Sequence, residues 1–169
     1  MTLKKMTQII LIIWLVITSC FVLKSEYTLN TGRSVLLKTV PVDPRDILMG
    51  DYVILNYEIS QFPNYRRHIF EYNKPIYVKL GLNDDNIAYI DRITEEKPKG
   101  LFLKGTMTSC PSTIPLFRSG RCISYGIESY YVKEHEGRKL ERDLANGTLV
   151  EVSIDRHGSA KVKGFVNQH

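Results

Sequence analysis

Cysteine is scarce in this chain: three residues among 169, at positions 20, 110 and 122. That excludes a mini-protein held together by dense disulfides. Proline and glycine number only 7 and 11 and follow no period, which excludes a collagen-like repeat. A disordered tail is excluded too, because 43% of the residues are hydrophobic. A concentrated basic face is also missing. The formal net charge is +5, but Lys4 and Lys5 stand ahead of an apolar run, which leaves 21 bases against 18 acids for the rest. The clusters Arg66-Arg67-His68 and Arg138-Lys139 are flanked or followed by acids and read as solvated surface. A nucleic-acid partner needs basic residues gathered on one face to neutralise phosphates. None is indicated.

What the N-terminus has is apolar length. Residues 9–17 read IILIIWLVI, and no acid occurs before Glu26. The 18 residues from Met6 to Leu23 would form a helix of about 27 Å, close to the hydrocarbon thickness of a bilayer. Lys4 and Lys5 before this run predict a cytoplasmic N-terminus by the positive-inside rule, and Lys24 and Glu26 mark the exit into water. The chain therefore divides into an anchor, residues 1–23, and an extracytoplasmic domain, residues 24–169. This predicts a single-pass protein of the plasma membrane, with the lipid bilayer as its first partner. Two alternatives stand beside an uncleaved anchor. Val16-Ile17-Thr18-Ser19-Cys20 fits a loose lipoprotein signal acylated at Cys20, although Phe21-Val22-Leu23 prolong the apolar run beyond it. A cleaved secretory signal would want a small-residue site, and none follows the run.

From Arg33 onward the dominant period is two, the period of strands. Strands are predicted at 34–40, 51–59, 75–82, 86–93, 100–107, 122–132, 148–154 and 159–166. In 51–59 the residues Val53, Leu55, Tyr57 and Ile59 share the more apolar face, which should point at the core. Tyr52, Ile54, Asn56 and Glu58 share the other. Turn residues separate the runs, and His157-Gly158 predicts an antiparallel hairpin for the last two strands. A helix is expected over Glu134 to Ala145, with Leu140 and Leu144 four apart and Asn146-Gly147 ending it. A second, short helix is expected around Tyr65 to Tyr72. Many strands, few helices and no βαβ alternation predict a mostly β domain, an antiparallel sandwich or small barrel.

The densest segment is PVDPRDILMGDYVILNY, Pro41 to Tyr57. Pro44 biases Asp43 away from helix, Asp46 can cap a turn over Ile47-Leu48-Met49, and Gly50 can close it. Read structurally, Arg45 is clamped among Asp43, Asp46 and Asp51 in a rigid corner entering a sheet. Read functionally, the same acids and Tyr52 project as a binding surface. Two nearby aspartates also suit acid–base work, but no nucleophile is spaced with them.

Gly50-Asp51-Tyr52-Val53-Ile54-Leu55-Asn56-Tyr57 resembles the motif that names the GDYXXLXY family of bacterial membrane-anchored proteins. The resemblance extends to the apolar N-terminal helix, to Pro41 through Asp46, to Tyr125-Gly126-Ile127-Glu128 followed by Tyr130-Tyr131-Val132, and to two closing strands around His157-Gly158. It implies a location and an architecture rather than a reaction. The residues it carries over are Pro44, Arg45, Asp46, Gly50, Asp51, Tyr52, Leu55 and Tyr57, with Tyr125, Gly126 and Glu128. Strand parity assigns Leu55 and Tyr57 to packing, alongside Pro44, Gly50 and Gly126 as structural positions. Arg45, Asp46, Asp51, Tyr52, Tyr125 and Glu128 are the binding candidates.

Cys110 and Cys122 flank a loop containing Pro111, Pro115 and Gly120, and outside the cell two such thiols commonly pair. The alternative is two unpaired buried thiols. No metal set is read, because His68, His135, His157 and His169 are scattered and none stands at ligand spacing from a cysteine. Asn83-Asp84-Asp85-Asn86 lacks the further acids of a calcium loop and reads as a turn. No cofactor is implied. The function expected is a membrane-anchored binding or assembly module acting with other membrane or cell-envelope proteins. The alternative is an anchored envelope hydrolase, loosely similar to type I signal peptidases. Against it, Ser25 and Ser34 lack the nucleophile context of that family, and Lys38 lies too early to be its base.

Overall fold

A computed structural model describes residues 3–40, 52–61, 70–110, 121–132 and 147–166, together with Leu140 and Leu144. Among these residues an N-terminal helix, α1 (Leu3–Thr31), is followed by nine strands. These are β1 (Arg33–Lys38), β2 (Tyr52–Ile54), β3 (Pro75–Leu82), β4 (Ala88–Thr94), β5 (Phe102–Ser109), β6 (Arg121–Ser124), β7 (Ser129–Tyr131), β8 (Leu149–Ile154) and β9 (Ala160–Val166). The chain is mostly β, as its alternation predicts.

The strands form three antiparallel sheets, ordered β1-β8-β9, β2-β7 and β4-β3-β5-β6. They converge on one apolar core. Val35 and Leu37 of β1, Ile76 and Val78 of β3, Leu103 and Met107 of β5, and Val150 and Val152 of β8 are all fully buried in it. The sheets touch at their margins. Leu36 of β1 bridges Ile87 beside β4, and the Lys104 amide of β5 donates to the Gly158 carbonyl in the β8–β9 turn at 2.8 Å. His157-Gly158 does form the turn of the last hairpin. Asp155 Oδ1 organises it by accepting from the amides of His157 and Ser159 at 2.8 and 2.9 Å.

Three expectations meet a different geometry. The predicted strand 51–59 is regular only over Tyr52–Ile54; a 3-10 turn at Glu58–Ser60 ends it. The predicted strand 122–132 is two strands, β6 and β7, separated where Gly126 takes φ +77°. Only glycine adopts that conformation without strain, so the ladder breaks there. The helix α1 continues past Leu23 to Thr31. One face of its polar last two turns lies against the domain, while Lys24 and Glu26 are exposed. Of the two expected short helices, the first is helical at both its described positions, where Leu144 is buried and Leu140 packs against the core. Of the second, residues 65–69 lie outside the described residues, and Phe70–Tyr72 is not helical.

Cys110 and Cys122 are joined in a disulfide that ties the end of β5 to β6. Val40 packs against it. Cys20 is a free, exposed thiol on α1.

Candidate functional site

Residues 52–61 and 121–131 carry the two halves of the motif, and they are folded against one another. β2 and β7 pair with Tyr52 opposite Tyr131, Val53 opposite Tyr130 and Ile54 opposite Ser129. The pairing continues past the strand, where the Leu55 amide donates to the Glu128 carbonyl at 2.7 Å. Side-chain hydroxyls then lock the two segments reciprocally. Tyr57 Oη donates to the carbonyl of Ile127 at 2.9 Å, and Tyr125 Oη donates to the carbonyl of Ile59 at 2.6 Å. Each tyrosine thus satisfies a carbonyl on the segment that carries the other. Their rings are buried, which raises both hydroxyl pKa values above the ordinary tyrosine range; the negative charge of Glu128 adds to this.

Glu128 holds the intervening turn. One carboxylate oxygen accepts from the Tyr125 amide and the other from the Gly126 amide, the latter at 2.9 Å. Two adjacent amides that converge on an anion form a nest, and here the anion is supplied by the chain itself. Gly126 is exposed, and a Cβ there would meet nothing within 4 Å. The positive φ, rather than crowding, is what asks for glycine.

The parity read from the sequence is reproduced residue by residue. Val53, Leu55 and Tyr57 are fully buried and Ile59 nearly so, whereas Tyr52, Ile54 and Asn56 are half-buried and Glu58 is exposed. Tyr52 stacks obliquely on Tyr131, with ring centroids 6.2 Å apart and planes at 55°. Tyr131 is 79% exposed, the most exposed tyrosine among the described residues. On the inward side, Tyr130 packs edge-on against Phe165 of β9 at 5.0 Å. The outward aromatic pair is not evident as a pair in the sequence. Its signal was the second alternating run, Ser129-Tyr130-Tyr131, once that run is set antiparallel to Tyr52-Val53-Ile54.

Of the binding candidates, Tyr52, Tyr125 and Glu128 lie on the two paired segments. The hydroxyl of Tyr125 and the carboxylate of Glu128 both bond backbone within the fold, and Tyr52 faces outward. Arg45, Asp46 and Asp51, with Pro44 and Gly50, lie outside the described residues. A cleft of about 360 Å³ opens beside Tyr125 and Gly126, lined also by Lys104, Gly105, Ser124 and Ser159. Among the described residues no group of three or more His, Cys, Asp or Glu side chains is placed to hold a metal ion.

An apolar N-terminal helix joined to an antiparallel β domain, with two tyrosine-rich segments locked face to face, defines a class of small β domains that carry an N-terminal apolar helix. The family model described as GDYXXLXY protein matches residues 14–165, nearly the whole chain, and the chain belongs to that family. No curated protein and no solved structure matches it. The helix over Lys4–Thr31 is long and apolar enough to cross a membrane, as a single-pass anchor or as a signal sequence would be.

Proposed function

We propose that this protein is a membrane-anchored, extracytoplasmic binding or assembly module. In this reading α1 is the retained anchor, Lys4 and Lys5 hold the N-terminus in the cytoplasm, and the β domain meets other membrane or cell-envelope proteins. The observation that carries the reading is the outward Tyr52–Tyr131 pair. The buried motif tyrosines use their hydroxyls inside the fold, while this pair presents two large aromatic faces on a short, rigid two-stranded sheet. Exposed aromatics fixed by a scaffold supply contact area at low entropic cost, and tyrosine is enriched where interfaces concentrate their energy. The masking of Tyr125 and Glu128 by backbone contacts narrows recognition to Tyr52 and its neighbour.

A photo-crosslinking residue placed at Tyr131, in the full chain in its native membranes, tests this. A discrete crosslinked protein is expected from position 131 and not from Tyr89, another exposed tyrosine, 53% exposed on β4. Identical crosslinking patterns from both positions would remove the assignment. A reporter active only outside the cytoplasm, fused after His169, tests the orientation independently.

A further inference from the structure

The last two turns of α1 are part of the β domain, not a tether to it. Thr28 is buried, Ser25 and Leu29 are half-buried, and together with Gly32 they make one stripe facing the domain. Ser153 of β8 donates its hydroxyl to the Thr28 carbonyl at 2.6 Å, and the Gly32 amide donates to the same carbonyl at 3.0 Å. The approach is so close that a Cβ on Gly32 would run into Ser153 Oγ and the Thr28 carbonyl. A side chain at this joint would have to displace it.

Geometry then fixes where the domain sits. The uncharged run ends at Leu23 and the docked stripe begins at Ser25. Thr28 lies five residues beyond Leu23, about 7.5 Å along the helix axis. The headgroup layer on each side of a bilayer is about 5–8 Å thick. No spacer separates the hydrocarbon from the domain, so the joint itself lies at headgroup level. The side chains around it suit that position. Lys161 stands directly across β9 from Ser153 and so shares the sheet face on which α1 docks. Lys161 and Lys24 are exposed, as is Tyr27 at 57%. Of the acids here, Glu151 is paired with Lys163 at 3.0 Å and Asp155 accepts from two amides of the turn, which leaves Glu26. Tyrosine and lysine are the residues that settle at a membrane interface.

We infer that the β8–β9 face around Lys161, with Lys24 and Tyr27 of α1, is seated in the headgroup layer and binds anionic phospholipid headgroups. The inference rests on the reading of α1 as a retained membrane anchor. In effect the domain has one face committed to lipid, and it presents its other surfaces at a fixed height and angle.

The test uses the full chain with Cys20→Ser and a nitroxide on Ser159→Cys, two residues from Lys161. It is reconstituted in vesicles of phosphatidylcholine alone or mixed with phosphatidylglycerol. The label should lose accessibility to a water-soluble relaxation agent in phosphatidylglycerol vesicles, relative to the detergent-solubilised chain. That loss should be markedly smaller in pure phosphatidylcholine and in the Lys161→Gln, Lys24→Gln double variant. Full water accessibility in both vesicles overturns the seating. Equal shielding in both lipids overturns the role given to the cations. Co-flotation with the vesicles is read separately. Failure to float strikes the anchor reading itself, whereas flotation with a water-exposed label strikes only this inference.

Discussion

The Tyr57 hydroxyl reaches across to the carbonyl of Ile127 at 2.9 Å, seventy residues further along the chain. Tyr125 returns the bond to Ile59. Removing either hydroxyl leaves a carbonyl and a buried segment short of one partner, which costs about 1–3 kcal/mol. Tyr57→Phe and Tyr125→Phe should therefore each destabilise the protein while keeping the packing of their rings. Because both bonds clamp the same two segments, loss of one loosens the geometry of the other. The double variant should depart from additivity by about 0.5–3 kcal/mol. Denaturant melts of the four proteins would show it, and strict additivity would mean the two bonds act independently.

The same burial makes the fold sensitive to alkali. Both hydroxyls have pKa values raised above the ordinary 10.0, first by burial and then by Glu128. In the unfolded chain they titrate near that ordinary value, so above it the unfolded state releases protons that the folded state holds. The native state then binds more protons, and stability falls as pH rises. The contribution is complete below about pH 10 and is lost progressively above it. Stability measured from pH 8 to 12 should decline with a slope that Tyr57→Phe reduces. An unchanged slope in both single Phe variants would assign the alkaline loss to other groups.

Glu128 should behave as a structural anion. Glu128→Gln leaves a single acceptor oxygen for the amides of Tyr125 and Gly126 and removes the charge from both bonds. A loss of about 1–2 kcal/mol is expected, in the range for hydrogen bonds to charged groups. Gly126→Ala should cost about 1–2 kcal/mol for a different reason, the left-handed backbone. Gly126→Asn should recover part of that cost, since asparagine tolerates this region better. Thermal melts of the three variants would separate the two causes.

Much of this architecture was legible because strand parity is a local property. Val53, Leu55, Tyr57 and Ile59 alternate in the sequence, and their burial follows even where the regular strand stops at Ile54. The hairpin at His157-Gly158 was equally legible, since its turn chemistry lies within a few residues. The long-range contacts were not. Nothing local to Tyr57 names Ile127 as its acceptor, and nothing near Glu128 tells an internal anion from an exposed ligand. The break at Gly126 was hidden because a single glycine inside an alternating run is compatible with a continuous strand, a bulge or a turn. The extension of α1 to Thr31 was hidden for the opposite reason. Lys24 and Glu26 look like an exit into water, and only the Ser153 hydroxyl shows that the helix continues onto a surface.

The disulfide between Cys110 and Cys122 closes a loop across a sequence separation of 12. In the loop-entropy account a bridge of this span stabilises by about 3 kcal/mol. It also packs on Val40, the last described residue before the motif segment. Reduction, or Cys110→Ser with Cys122→Ser, should lower the melting temperature of the protein. The unreduced protein, unfolded, should show one titratable thiol, from Cys20. Three thiols without reductant would rule the bridge out in the protein as isolated.

The most discriminating truncations lie on opposite faces of one short segment. Leu55 is fully buried, so Leu55→Ala should cost about 2–5 kcal/mol through lost transfer energy and a residual cavity. Tyr52 is half-buried and leans on the exposed Tyr131, and an aromatic pair of this kind contributes about 0.5–1.5 kcal/mol beyond its buried area. Tyr131→Ala should cost the least, because most of that side chain already lies in water. The expected order of destabilisation is Leu55→Ala, then Tyr52→Ala, then Tyr131→Ala. Loss of partner capture should run the other way, strongest at Tyr131 and Tyr52 and secondary to unfolding at Leu55. Denaturant melts of the full chain, read beside crosslinking in membranes, give both orders from the same variants. If Tyr131→Ala proves as destabilising as Leu55→Ala, the outer face of β2 and β7 is itself covered, and the aromatic pair belongs to the core.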